Sequence, residues 1–227
     1  MLGSSHQKLR AEHSTITDMS ANPADSLGGP AAAARARNAA GARAKHDWRG
    51  ALDDARRISI PWYRAQALAH VVQHAPAADT DRIVALFDET VRGSKDEYQR
   101  VTLPFWLSLA LLMRGERDWA ERIAVGVVEN SPCVVPIGSR AQTLELVSMA
   151  LLAMRSKHLV TLAEKCVLLA HPAAHWRCLR AARRAIGCLA MIDVDAARRV
   201  VALITDQGTA RRVALEIERI AQRPPLR

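Results

Sequence analysis

Arg64-Ala65-Gln66-Ala67-Leu68 returns 76 residues later as Arg140-Ala141-Gln142-Thr143-Leu144, and Asp47-Trp48 returns as Asp118-Trp119. Near-copies at such a separation confine a chain to stacking similar units. Arg-Ala occurs again at Arg180-Ala181, and Arg100-Val101 lies between the first two, so the unit spans about 36 to 40 residues. A unit of that length is a helical hairpin, which buries its apolar face only against neighbours like itself. Such a stack usually holds something, and what it holds is decided by its surface rather than by a short motif.

Apolar spacing gives the hairpins one by one. Trp48, Ala51, Leu52, Ala55 and Ile58 follow an i, i+3, i+4 series that Pro61 ends. Ala65, Leu68, Val71 and Val72 form the returning helix, closed before Pro76. The cycle continues with Ile83, Leu86, Phe87 and Val91, a break at Gly93-Ser94, and a helix from about Glu97 to Leu112 that Pro104 either kinks or starts. Trp119, Ala120, Ile123, Ala124 and Val127 open the next pair, which returns through Ala141, Leu144, Val147 and Leu151. The fourth pair turns at Pro172, and the fifth turns at Gly208 and returns through Val213, Leu215, Ile217 and Ile220. An end unit needs a polar outer face, so that last apolar set either packs inward or meets another chain. The expectation is an all-α fold, a right-handed α-solenoid of about five antiparallel helical hairpins over residues 31–223. Residues 1–30, with Ser, Asn, Gly and Pro clusters and no apolar period, read as a disordered tail.

Composition agrees with helix on helix. Aromatic residues make up only 4% and hydrophobic residues 49%, mostly alanine and leucine, which favours close helix packing over sheets. Val101 to Met113, the longest apolar stretch, is interrupted by Pro104 and is shorter than the ~18 residues a membrane span needs. Met1 to Ser20 contains no apolar run after its charges, so no secretory signal is expected and the cytoplasm is the expected location. The four cysteines have no CxxC spacing and read as free buried thiols, three of them in apolar helical stretches. The net charge of +9 is uneven: residues 165–227 hold twelve Lys and Arg against five Asp and Glu.

Gly115, Ala120 and Pro132 stand at the relative spacing of the turn glycine, second-helix alanine and terminal proline of the tetratricopeptide repeat. That segment resembles a degenerate copy of the motif, although Pro104 and Ser108 stand where its tryptophan and glycine would fall and only Leu107 is kept. Longer spacing elsewhere leaves a HEAT-like stack open. A first helix ending near a proline, followed by Arg-Ala-x-x-Leu, also resembles divergent helical repeats of bacterial signalling and defence proteins. The resemblance spans about residues 47–220 and implies the architecture, a stack of helical hairpins; from that architecture the expected role is a scaffold that binds another protein.

Within the repeated residues, Ala65, Leu68, Ala120, Ala141 and Leu144 are expected in the core, where small residues let helix backbones approach. Trp48 and Trp119 read as seam-covering residues, with an exposed partner anchor as the alternative. Arg64 and Arg140 are unusual, because a cation in a helix's first turn opposes the macrodipole. They are expected to cap the last carbonyls of the preceding helix, or else to bind an anion.

There is no phosphate-binding glycine loop, HExxH, nucleophile elbow or paired-carboxylate motif, and the expectation is a protein that is not an enzyme and has no cofactor. Cys166, His171, His175 and Cys178 together offer the ligand types of a structural zinc site, but in no known finger spacing and on otherwise apolar helix faces. His70 and His74, at i and i+4 without a third ligand, read as surface or helix-end residues. Arg177, Arg180 and Arg184 share one helix face, and with Arg198 and Arg211 they would make a positive stripe for an acidic protein or, as the second reading, for nucleic-acid phosphates.

Overall fold

The computed structural model of the protein describes residues 29–171 and 175–222. Their helices are α1 (Pro30–Ala44), α2 (Trp48–Arg57), α3 (Pro61–His74), α4 (Ala77–Arg92), α5 (Glu97–Thr102), α6 (Pro104–Met113) and α7 (Arg117–Asn130). A short 3-10 turn at Ser131–Cys133 leads to α8 (Ile137–Ala153), α9 (Leu159–Ala170), α10 (Trp176–Ala190), α11 (Val194–Val201) and α12 (Gln207–Ala221). No strand occurs among the described residues. None of the described helices is long and apolar enough to cross a membrane. The tail expected over 1–30 lies outside the described residues as far as 28, while Pro30 already belongs to α1, at a first-turn position where its missing N–H is no loss. The turn expected at Pro172 lies outside the described residues as well.

Local chemistry sets the helix ends. The side chains of Asp47, Asp96, Asp193 and Asp206 accept from the amides of Gly50, Tyr98, Ala196 and Thr209, capping α2, α5, α11 and α12. Pro104 starts α6 rather than kinking a longer helix, with Leu103 bridging it to α5. At the far ends of α6 and α8, Gly115 at φ 87° and Arg155 at φ 45° adopt left-handed backbone. The amide of Glu116 then donates to the Leu111 carbonyl at 3.0 Å, and that of Ser156 to Leu151 at 2.9 Å, closing both helices in the same way. The last pair corrects the sequence reading. Its turn precedes Asp206, and Gly208 sits inside the first turn of α12, because the Asp206 cap starts the helix upstream of the glycine.

Helices α1, α3, α6, α8, α10 and α12 pack in succession, each on the next, with α5 beside α6 and α8. Helices α2, α7, α9 and α11 each lie against the two members of that series that flank them in the chain, while α4 packs on α3 and meets α5. One apolar cluster runs through the whole arrangement, from Ala33 to Ile217. Alanines dominate the contacts: Ala51, Ala55, Ala65, Ala120, Ala124, Ala141, Ala181 and Ala185 are all fully buried. A methyl group is small enough to let neighbouring backbones meet, and leucines such as Leu68, Leu144 and Leu162 fill the grooves between. Some polar groups inside the cluster pair with one another, as where the Thr102 and Thr143 hydroxyls meet at 2.7 Å between α5 and α8.

On α12, Val213 and Ile217 are buried one turn apart, whereas Leu215, half a turn away, is 53% exposed among Arg211, Arg212, Glu218 and Arg219. Most of the terminal apolar set therefore packs inward, and the outer face of α12 is largely charged. Cys133 is exposed in the 3-10 turn, contrary to the expectation of four buried thiols, while Cys166, Cys178 and Cys188 are buried and all four are free. His70 is partly buried rather than a surface residue: the backbone of α1 lies over it, so that a Cβ on Gly41 would come within 3.0 Å of its ring.

Candidate interaction surface

Three arginines make the same bond. Arg64 donates through Nε to the Ile58 carbonyl at 2.6 Å, Arg100 through Nη1 to Ser94 at 2.9 Å, and Arg140 through Nε to Val134 at 3.2 Å. Each acceptor lies six residues upstream, in the turn that precedes the arginine's own helix. Arg140 also donates to the Pro132 carbonyl at 2.6 Å. These carbonyls end or follow a helix and lack intrahelical partners, so a guanidinium reaching back across the turn satisfies them. Arg100 belongs to the set although its surrounding sequence, Val101-Thr102-Leu103, departs from the Arg-Ala pattern. The carbonyl six residues before Arg180 is that of Ala174, outside the described residues.

Two further arginines, unmarked in the sequence, join helix ends far apart in the chain. Arg114 donates to the carbonyls of Val72, at 2.8 Å, and Ala75, capping α3 from the end of α6. Arg117 caps α8 through the Met154 carbonyl. Trp48 and Trp119 are partly buried against the core, and the Arg49 guanidinium lies 5.0 Å from the Trp48 ring.

The five arginines expected to form a basic stripe do not form an uninterrupted one. Arg180 pairs with Glu145 of α8 at 2.7 Å, and Arg198 is held by Asp195 and Glu218, each at 2.9 Å. The hydrogen bonds that Arg198 donates to Glu218 and then to Asp195 raise its guanidinium above its ordinary pKa. Arg177, Arg184 and Arg211 have no carboxylate partner among the described residues. Glu145 and Glu218 reach the stripe from neighbouring helices, which spacing along one helix could not reveal, whereas Asp195 stands three residues before Arg198 on α11 itself.

Around Arg177 and Arg180 the fold assembles something the sequence reading passed over. Trp176, in the first turn of α10, is 58% exposed. Its ring stacks on His175 with centroids 6.2 Å apart, and the guanidiniums of Arg177 and Arg180 stand 5.3 and 5.0 Å from it. The signal was the W-R-x-x-R spacing, which sets two cations beside one indole on a helix. Gly138 at the start of α8 makes room, since a Cβ there would lie 3.1 Å from His175 Cε1 and 3.3 Å from Arg177 Cδ. Tyr98 stacks on Trp62 at 5.7 Å. Burial, followed by the charge of Asp96, raises the Tyr98 phenol's pKa, and the Arg177 charge opposes that rise.

The zinc-like set behaves differently. Burial, and then the charges of Cys178 and Glu145, push the Cys166 thiol well above its ordinary pKa, and burial raises Cys178 as well. His175 Nδ1 accepts the Arg177 amide at 3.2 Å, and His171 is exposed at the end of α9. Among the described residues, no three histidines, cysteines or carboxylates are grouped to hold a metal ion.

No protein-family model matches this chain, and no curated protein or solved structure is significantly similar to it.

Proposed function

We propose that this chain is a right-handed α-solenoid of about five helical pairs, related in design to tetratricopeptide or HEAT repeats, that works as a non-catalytic scaffold binding another protein. The observation that carries this reading is the packing order. One series of helices meets in succession while the other bridges it pair by pair, so neighbouring units shield one another's apolar sides. The arginine bonds at Arg64, Arg100 and Arg140, and the matching helix closures at Gly115 and Arg155, give further support, because each recurs at the length of one unit. The buried thiols of Cys166, Cys178 and Cys188 are poor nucleophiles, which favours binding over catalysis. The proposed location is the cytoplasm.

Carboxylates set into the basic stripe favour a protein partner over a phosphate backbone, which needs consecutive uncompensated cations. Capture from native lysate on the immobilised full chain, quantified by mass spectrometry, is expected to retain a stoichiometric protein. Retention of nucleic acid alone, or of nothing, overturns the reading.

A further inference from the structure

We propose that the first turn of α10 is the docking patch for an acidic segment of a partner protein, with the Trp176 indole seating an apolar residue and Arg177 and Arg180 receiving carboxylates. This rests on the scaffold reading above and names where, and by what chemistry, the partner is met.

An indole gains more than most side chains from burial, yet Trp176 stays largely exposed while its neighbours Cys178, Ala181 and Ala182 are buried. The ring is also held in place. His175 lies nearly parallel to it, at 17°, and two guanidiniums flank it. A side chain already fixed loses little freedom when a partner covers it, which is what makes an anchor effective. Arg180 is fixed in turn by Glu145 across the α8–α10 groove, leaving Arg177 as the cation without a carboxylate among the described residues.

Trp and Arg are among the residues that carry binding energy in protein interfaces, and here Trp176 adjoins both Arg177 and Arg180. Charge selects the occupant. From residue 165 onward the chain carries twelve cations against five carboxylates, so an acidic segment is drawn to this end of the molecule. Glu145 already neutralises Arg180 in part, which leaves too few uncompensated cations here for a run of phosphates, whereas a single partner carboxylate can bond Arg177.

The test titrates the full chain with a fluorescent Asp/Glu-rich peptide bearing one central leucine, its lysine counterpart, and single-stranded oligo(dT), read by anisotropy at low salt. The acidic peptide is expected to bind, and Trp176→Ala and Arg177→Glu are each expected to weaken it at least about tenfold. Arg82→Glu, the same charge change at an exposed position on α4, is expected to alter affinity less than about twofold, with circular dichroism unchanged in all three variants. No binding of the acidic peptide, full affinity in Trp176→Ala, an equal loss in Arg82→Glu, or tighter binding of oligo(dT) with loss in the same variants each overturns the patch. Lysate capture repeated with Trp176→Ala separates the two ideas. A partner retained undiminished leaves the scaffold standing without this patch, and no partner from the parent chain removes both.

Discussion

Nη1 of Arg114, at the end of α6, donates to the Val72 carbonyl at 2.8 Å near the end of α3. The same guanidinium bonds Ala75 and pairs with Glu116 at 3.0 Å, so one side chain ties the close of one helix to the close of another. Val72 and Ala75 are themselves buried, and their carbonyls have little water to turn to.

Replacing Arg114 by Ala is therefore expected to destabilise the fold by about 1–3 kcal/mol, the usual penalty for orphaned buried acceptors. Arg114→Lys should recover only part of this, because an ammonium cannot present the guanidinium's spread of donors. Urea unfolding with an unchanged slope checks it. A midpoint equal to that of the parent contradicts the capping role.

Arg64→Ala, Arg100→Ala and Arg140→Ala are each expected to lower stability by about 1 kcal/mol. Arg64 and Arg140 are far enough apart in the chain to act on separate turns, so their double variant should show near-additive loss. Thermal unfolding of the singles and the double gives the comparison. An Arg100 variant indistinguishable from parent would separate that position from the other two.

The left-handed closures predict opposite signs at two positions. Gly115, at φ 87°, has nothing within 4 Å of a built Cβ, so Gly115→Ala meets no clash but takes on the left-handed penalty of about 1–2 kcal/mol. Arg155, exposed at φ 45°, already bears that strain, and Arg155→Gly is expected to stabilise by up to about 1 kcal/mol. Denaturant midpoints moving in the same direction for both would refute the shared geometry.

Burial, followed by the charges of Arg37, His74 and Lys45, holds the pKa of His70 below its ordinary 6.5. The unfolded chain therefore takes up its proton first as pH falls. Stability attributable to this group is complete above about pH 6.5 and declines through the range between that value and the lower folded one. Urea midpoints at about pH 7.5 and about pH 5.5 are expected to differ, and His70→Gln should flatten the difference. His74, shifted the same way by burial, leaves a residual slope.

Thiol labelling reads the packing directly. Cys133 is exposed, whereas Cys166, Cys178 and Cys188 are buried with their pKa values raised by burial. One thiol per chain is expected to react with a thiol reagent under native conditions, and all four after denaturation. Fast native labelling of more than one contradicts the arrangement of α8, α9 and α10.

The order of helices was legible because its causes are local. Apolar residues at i, i+3 and i+4 define a buried face without reference to the rest of the chain, Asp47 caps α2 with its own side chain, and Pro61 and Pro104 mark helix breaks through their fixed backbone. Where two local signals compete, as at Asp206 and Gly208, spacing alone does not say which one sets the turn, and the Asp206 cap prevails. The arginines of the Arg-Ala motif were legible for a related reason: a cation opposing a helix dipole calls for acceptors nearby, and those lie only six residues away.

The sequence by itself thus determined the helices, their breaks and the alanine-lined faces between them, since these follow from backbone geometry and side-chain volume over a few residues. Only the tertiary structure decided which carboxylate meets which guanidinium, that Arg114 spans from α6 to α3, and that Trp176 stands exposed between Arg177 and Arg180 beside the glycine gap at Gly138. A long flexible side chain can reach many groups, and the one it finds depends on how whole helices lie against each other.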